Sequence, residues 1–311
     1  MSVRVVDVLL AVGSETAQWR SAFARALTDV RIHVWPDAPQ TVDFAIVYKP
    51  PGAVFERVRV RRAIFNLGAG VDSLLAVPSL PRDVPVVRLE DAGMAVQMAE
   101  YVTLAVLRAY REQDAYAAQQ RGRRWHQRQR LSKADFGIGL LGLGVLGQAV
   151  AGALLAFGFA VHGWSRSPRT VPGVTTFTGE NGLREMLARS RVLVVLLPST
   201  TGTRGLLDRA TLGRLPVGAH LVNVARGALV VEDDLVELLD RGHLASATLD
   251  VFEHEPLPPD HRFWHHPSVV LTPHVSAATL IDESAAQVAV KLRAMARGEP
   301  VSGIVDARRG Y

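Results

Sequence analysis

Ile138-Gly139-Leu140-Leu141-Gly142-Leu143-Gly144-Val145-Leu146-Gly147-Gln148-Ala149-Val150-Ala151, near the middle of the chain, is the stretch on which the fold is decided. An apolar run of strand length meets a G-x-G-x-x-G loop, and a helix-forming segment follows at once. Glycines at those positions allow a tight turn and a close approach of backbone to ligand. The first turn of the helix then presents unpaired N–H groups to a pyrophosphate. Glycine turns are common, so the loop alone says little. Between a strand and a helix it predicts a dinucleotide-binding βαβ unit.

The alternation extends in both directions. Apolar runs at Gly137–Leu141, Ala160–Trp164, Val192–Leu197, His220–Val224, Ala247–Asp250 and residues 269–272 predict strands. Helices are expected between them at Gln148–Ala156, Gly182–Arg189 and Glu232–Arg241. Upstream, Val3–Val12, Phe44–Val47, Ala63–Asn66 and Val84–Leu89 read as strands and Thr16–Leu27 as a helix. Short, continuously apolar strands separated by helices indicate parallel sheets covered on both faces. Ala95 to about Gln120 contains neither glycine nor proline and predicts one long helix, suited to a domain connection or a dimer contact. The tail Ala278–Arg297 is again helical and is expected to return to the first domain. The chain would then cross between domains twice, leaving a cleft able to open and close. Its 311 residues fit about two domains.

Composition narrows the class. A hydrophobic content of 48% with 21% charged residues is that of an ordinary globular protein, and no apolar run reaches bilayer-spanning length. No secretory signal is apparent, so a cytoplasmic location is the default. The absence of cysteine excludes disulfides and thiolate metal sites. The net charge is +5, and its densest source is the run Arg121-Gly122-Arg123-Arg124-Trp125-His126-Gln127-Arg128-Gln129-Arg130. Basic residues around an aromatic can grip a phosphate backbone. With no helix-turn-helix, zinc-finger or RNA-binding signature nearby, a solvated arm is the simpler reading, and neither nucleic acid nor membrane is expected as a partner. His261 and His265 have the spacing of a helical metal pair, beside His254 and His266. Pro256, Pro258, Pro259 and Pro267 crowd that segment against a helix, and no metal is expected.

The strand after the glycine loop tests which dinucleotide is taken. An acid at its end would bind a free ribose 2′-hydroxyl and repel a 2′-phosphate. The strand ends instead in Ser165-Arg166-Ser167-Pro168-Arg169, whose Ser165 and Arg166 can donate to a phosphate. NADP(H) is therefore expected over NAD(H).

Three charged residues occupy loops after later strands: Arg226 in Asn223-Val224-Ala225-Arg226-Gly227, Glu255 in Asp250-Val251-Phe252-Glu253-His254-Glu255-Pro256, and His274 in Thr272-Pro273-His274-Val275-Ser276. With Leu67-Gly68-Ala69-Gly70-Val71-Asp72, Arg88-Leu89-Glu90-Asp91, Leu197-Pro198 and the terminal Arg309-Gly310-Tyr311, they spread over essentially the whole chain. Together they resemble the D-2-hydroxyacid dehydrogenase family, and most nearly its glyoxylate/hydroxypyruvate reductase A branch.

The resemblance implies a Rossmann coenzyme domain over residues 102–277, inserted in a flavodoxin-like substrate-binding domain made of residues 1–101 and 278–311. Both domains would be α/β with doubly wound parallel sheets. It implies NADPH-dependent reduction of small 2-keto acids by hydride transfer. His274 would be the proton donor, Arg226 the carboxylate anchor that also polarises the carbonyl, and Glu255 the residue that orients His274. Glu253, two residues away, competes for that last role. The backbone of Leu67, Gly68, Ala69 and Gly70 would bind the substrate carboxylate as an anion nest, beside Tyr48. The cofactor set would be Gly142, Gly144, Val145, Leu146, Gly147, Ser165, Arg166, Ser167, Leu197, Pro198, Ala225, Asp250 and His274. The long helix and its arm resemble the family's dimerisation element, so a homodimer is expected; a purely intramolecular connector is the alternative. A dehydrogenase for a 2-keto acid of different size, or a cofactor-sensing relative without catalysis, are the competing functions.

Overall fold

The computed structural model describes residues 6–129, 131–306 and 308–310. Parts of the expected first strand (residues 3–5), of the basic run (Arg130) and of the terminal motif (Tyr311) lie outside the described residues. The chain divides into two compact units, Met1–Met94 with Thr279–Tyr311, and Ala95–Ala278.

The first unit holds β1 (Val6–Val12), α1 (Thr16–Ala26), β2 (Val30–Val34), β3 (Thr41–Tyr48), the short α2 (Val54–Arg57), β4 (Arg59–Asn66), α3 (Asp72–Leu75) and β5 (Val86–Arg88). Among the described residues its sheet has the order β2-β1-β3-β4-β5, parallel throughout. This is the flavodoxin-like winding, whose direction reverses between β1 and β3. Leu9, Ala45, Val47 and Ile64 fill the centre with no more than 1% exposure, as expected of strands buried on both faces.

The second unit continues with α4 (Met94–Tyr110), α5 (Gln113–Arg121), β6 (Ile138–Leu141), α6 (Val145–Ala156), β7 (Val161–Trp164), β8 (Val174–Phe177), α7 (Gly179–Ala188), β9 (Val192–Val195), α8 (Arg209–Leu212), β10 (Ala219–Asn223), α9 (Glu232–Asp240), β11 (Leu244–Leu249) and β12 (Val269–Leu271). Helix α10 (Ile281–Ala296) returns to the first unit, burying Ala285, Val288, Ala289 and Leu292 along one face. The second sheet runs β12-β11-β10-β9-β6-β7-β8, again parallel, and reverses direction between β6 and β9. Helices α4 and α6 cover one face through Val102, Val106, Val150 and Leu154. The other face carries α7 and α9 through Met186, Leu187, Leu235 and Leu239. The doubly wound parallel fold read from the sequence is the fold observed.

One local expectation is corrected, and two strands are added to those expected. The single helix from Ala95 to about Gln120 is two helices, because Glu112 takes a left-handed conformation at φ 51°. Side chains support the break where no glycine or proline marks it: Arg108 Nε donates to Asp114 at 2.9 Å and Arg128 Nε to Glu112 at 2.7 Å. Strands β2 and β8 were not anticipated. Both are sheet edges with barely buried residues, so neither carries the apolar run that marks a central strand.

Candidate active site

Both sheets offer their chemistry where parallel strands end, at the carboxyl edge. In the second unit, β6 runs out at Leu141 into the glycine loop. Gly142 sits at φ +111°, a region closed to side chains, and a Cβ there would lie 2.8 Å from the Leu196 carbonyl oxygen. At Gly147 a Cβ would stand 2.1 Å from the Gly142 carbonyl oxygen, so helix and strand could not pack with any other residue. Gly144, which precedes the first turn of α6, differs: a Cβ there would meet nothing within 4 Å. Two glycines therefore close the turn, and the third keeps open ground in front of a helix N-terminus. This is the shape a dinucleotide pyrophosphate needs, and the residues present fit one. Val145 is exposed and Leu146 half-buried beside that opening.

The expected 2′-phosphate residues follow β7. Trp164 fixes the start of that loop by donating its indole N–H to the Gly179 carbonyl at 2.9 Å. Ser165 is buried, and its hydroxyl donates to the Ser167 carbonyl at 2.8 Å, which shapes the turn. Arg166 and Ser167 are exposed. Arg169, to which the sequence reading gave no role, reaches back to the Leu143 carbonyl at 3.4 Å and so ties this loop to the glycine loop. On the other side of β6, Leu197 is buried beyond β9, and Pro198 receives a 2.7 Å hydrogen bond on its carbonyl from Thr203 Oγ1.

Arg226, Glu255 and His274 come from loops after β10, β11 and β12. Asn223 closes β10 and shapes the first of these: its Nδ2 donates to the Arg226 carbonyl at 2.9 Å and its Oδ1 accepts the Ala225 N–H at 3.2 Å. A Cβ on Gly227 would stand 1.9 Å from the Phe252 carbonyl carbon. The residue after Arg226 thus lies flat against the segment that carries Glu255. The Glu255 carboxylate accepts the Phe252 N–H at 3.1 Å through one oxygen and His274 Nδ1 at 2.8 Å through the other. Glu253 points elsewhere, to Arg204 Nη1 at 2.8 Å.

His274 itself is held at φ +55°, which is unusual for a residue with a side chain. Its N–H is shared between the Asp250 carbonyl at 2.8 Å and the Thr272 carbonyl at 3.1 Å. The Asp250 side chain, fully buried, gathers the same loop by accepting Thr272 Oγ1 at 2.5 Å and the N–H groups of Val275 and Ser276, each at 2.8 Å. Because Thr272 spends its only hydroxyl hydrogen on Asp250, the Tyr101 hydroxyl must be the donor in its own 2.5 Å contact with Thr272 Oγ1. Tyr101 and Thr272 are part of this scaffold although nothing in their local sequence marked them.

Two of the histidines near this segment have carboxylate partners of their own. His261 pairs with Glu232 at 3.1 Å and His266 with Asp240 at 3.3 Å. Among the described residues no group of three His, Cys, Asp or Glu side chains is placed to hold a metal ion.

In the first unit, β4 ends at Asn66 and the loop 67–70 comes next, with Leu67 and Gly68 buried and Ala69 and Gly70 half-buried. Tyr48, the last residue of β3, is half-buried, and its Cε2 would lie 3.6 Å from a Cβ on Gly68.

These glycine, arginine, glutamate and histidine positions are compatible with a nicotinamide-dinucleotide oxidoreductase, and comparison with known proteins gives the class. A family model described as the NAD-binding domain of D-isomer-specific 2-hydroxyacid dehydrogenases matches residues 103–276. The chain belongs to that family. Within it, the chain is similar to proteins named glyoxylate/hydroxypyruvate reductase A. The one from Yersinia enterocolitica is 41% identical over 303 residues, covering 96% of this chain and 97% of that protein. The one from Serratia proteamaculans is 42% identical over 300 residues, covering 94% and 96%. Among solved structures, a D-isomer-specific 2-hydroxyacid dehydrogenase from Xanthobacter autotrophicus Py2, in complex with NADPH and MES, matches with a TM-score of 0.93 at 40% identity, covering 99% of this chain and 100% of that one. An NADPH-dependent glyoxylate/hydroxypyruvate reductase from Sinorhizobium meliloti, in complex with NADP and sulfate, matches with a TM-score of 0.92 at 35% identity, covering 98% and 100%.

Proposed function

We propose that the protein reduces small 2-keto acids, glyoxylate and hydroxypyruvate foremost, to 2-hydroxy acids with NADPH as the reductant. The observation that carries this reading is the His274–Glu255 pair at 2.8 Å, on a segment against which Gly227, the residue following Arg226, is closely packed. The reductases from Yersinia, Serratia and Sinorhizobium support the choice of substrate and cofactor by their likeness to this chain.

Each side chain has a task. With Nδ1 committed to Glu255, His274 is left with Nε2 to deliver a proton to the substrate carbonyl oxygen. Glu255 holds the ring in that orientation. Arg226 anchors the carboxylate and polarises the carbonyl with its charged fork. The backbone of Leu67, Gly68, Ala69 and Gly70 takes a share of the carboxylate charge, and Tyr48 sets the size of the group accepted. When bound, the nicotinamide supplies the hydride that goes to the carbonyl carbon. Gly142, Gly144, Val145, Leu146 and Gly147 cradle the pyrophosphate, and Ser165, Arg166 and Ser167 select the 2′-phosphate. Leu197, Pro198 and Ala225 line the nicotinamide end, with Asp250 as the residue that holds the 272–276 loop in place. NAD(H) is the poorer cofactor in this scheme.

We extend the proposal to a cytoplasmic homodimer. Val96 and Leu104 support an interface on α4, for they stand 59% and 69% exposed two turns apart on one helix face. Light scattering at micromolar concentration tests it, and a monomer there removes this part.

Initial rates with glyoxylate, hydroxypyruvate, pyruvate and phenylpyruvate, each with NADPH and with NADH, test the function. Glyoxylate or hydroxypyruvate with NADPH should give the highest kcat/KM. A bulkier acid leading the panel replaces the substrate, and no turnover of any of the four rejects the enzyme reading.

A further inference from the structure

We infer that Asn66 is a positioning residue for the substrate carboxylate, setting the backbone of the loop 67–70 into its anion-binding conformation. The inference rests on the proposed role of this loop in taking the carboxylate.

Asn66 is the last residue of β4, an inner strand hydrogen-bonded on both sides to β3 and β5, so its backbone is fixed. Its side chain is buried at 4% exposure. The amide nitrogen lies 3.1 Å from the Gly68 carbonyl oxygen and 2.9 Å from the Gly70 carbonyl oxygen. Both neighbours are acceptors, so the amide can present only its NH2 group to them, and both of its hydrogens are used.

Two carbonyls are thus drawn toward one interior point. In a trans peptide the C=O and the following N–H point in opposite directions. Turning the Gly68 oxygen toward Asn66 turns the Ala69 N–H away from it, and turning the Gly70 oxygen does the same for the Val71 N–H. The Leu89 N–H adds a second hold on the Gly68 oxygen at 3.3 Å. The side chain thereby converts a flexible Gly-Ala-Gly loop into a set of N–H groups with a fixed outward direction, the arrangement that binds an anion through backbone. The fit is close at its centre: a Cβ on Gly68 would stand 3.3 Å from Asn66 Nδ2, so the amide would have to give way by a few tenths of an ångström, and 3.6 Å from the ring of Tyr48.

Charge explains the choice of asparagine. An aspartate of the same size would set a carboxylate against two carbonyl oxygens and place negative charge behind a pocket meant for an anion. The same device recurs in the second unit, where Asn223 ends β10 and holds the backbone of Ala225 and Arg226. Each sheet uses an amide at the end of an inner strand to lock the loop beyond it.

The test compares Asn66→Asp and Asn66→Ser with the parent enzyme, reading KM for glyoxylate, kcat, NADPH affinity by fluorescence titration, and the melting temperature. Asn66→Asp should raise the glyoxylate KM by about tenfold or more, the factor expected when buried donors are lost behind a charged ligand. NADPH affinity and kcat should change by less than about threefold, well under that factor. Asn66→Ser, which keeps one donor, should fall between. An unchanged KM in a folded, NADPH-binding Asn66→Asp overturns the inference. So does a joint loss of KM, NADPH affinity and melting temperature with no recovery in Asn66→Ser, which is the pattern of a purely structural residue. Ala69→Pro, which deletes a loop N–H, separates the role of Asn66 from that of the loop. If it raises KM and Asn66→Asp does not, the assignment of Asn66 fails while the loop keeps its role. If it binds NADPH with KM unchanged, the loop reading fails and takes the inference with it.

Discussion

His274 Nδ1 lies 2.8 Å from one oxygen of Glu255, and the other oxygen of the same carboxylate accepts the Phe252 N–H at 3.1 Å. The carboxylate is therefore clamped at both ends, and the ring it faces has a single nitrogen left for chemistry. Glu255→Gln keeps the size but offers a donor to one of these two donors in either orientation. The expected result is a fall in kcat of about tenfold to a hundredfold, with NADPH affinity intact. His274→Ala should lose orders of magnitude in kcat and still bind NADPH. Stopped-flow turnover beside a binding titration checks both, and near-normal turnover of His274→Ala removes the residue from its role.

The glycines of the loop should separate by function. Gly144→Ala meets open space, so its melting temperature should stay within a degree or two of the parent, about the scatter of a neutral surface change, while NADPH binding weakens. Gly147→Ala would bring a methyl to 2.1 Å from a backbone oxygen and should destabilise the fold itself. Calorimetry and a binding titration on the two variants distinguish these outcomes; equal stability of both would refute the close-packing role of Gly147.

Cofactor choice should reside in the loop after Trp164. Arg166→Ala is expected to weaken NADPH by about tenfold or more and leave NADH nearly unchanged, as for removal of a charge-assisted contact to a phosphate. Equal losses for the two cofactors would assign Arg166 to general attraction rather than to the 2′-phosphate.

His220, on β10, is expected to make stability depend on pH. Burial is the main cause that pushes its imidazole down from 6.5 to about 4; Arg191 adds to the shift, while Asp114 and Glu112 oppose it. Its Nδ1 contacts Ser246 Oγ at 2.8 Å. Between those two values the unfolded chain takes up a proton that the folded one refuses. Stability is therefore full above pH 6.5, declines as the pH drops toward 4, and levels off below it. The loss attributable to this residue from pH 7 to pH 5 is about 2 kcal/mol. Urea titrations should show His220→Gln losing that much less than the parent over the same range; parallel curves would dismiss His220 as the cause.

Legibility in the residue order has a physical division. The β6–loop–α6 unit announces itself because its apolar run, its glycines and its helix are contiguous. Arg226, Glu255 and His274 each sit in the loop that follows an apolar strand, so their placement at one sheet edge comes from parallel winding. Asn66 and Tyr101 were invisible because their partners, the Gly70 carbonyl and Thr272, are chosen by tertiary packing. The break at Glu112 was hidden for a related reason. A left-handed glutamate held by Arg108–Asp114 and Arg128–Glu112 contacts carries none of the local signals that end a helix. Edge strands β2 and β8 bury too little to leave an apolar run.

The indole of Trp164 is pinned to the Gly179 carbonyl at 2.9 Å, immediately before Ser165 and Arg166. A rigid fluorophore thus stands beside the loop assigned to cofactor selection. With the other four tryptophans replaced, emission from Trp164 can then report occupancy of that loop without a label, and variants of the loop can be ranked by an optical signal that owes nothing to turnover.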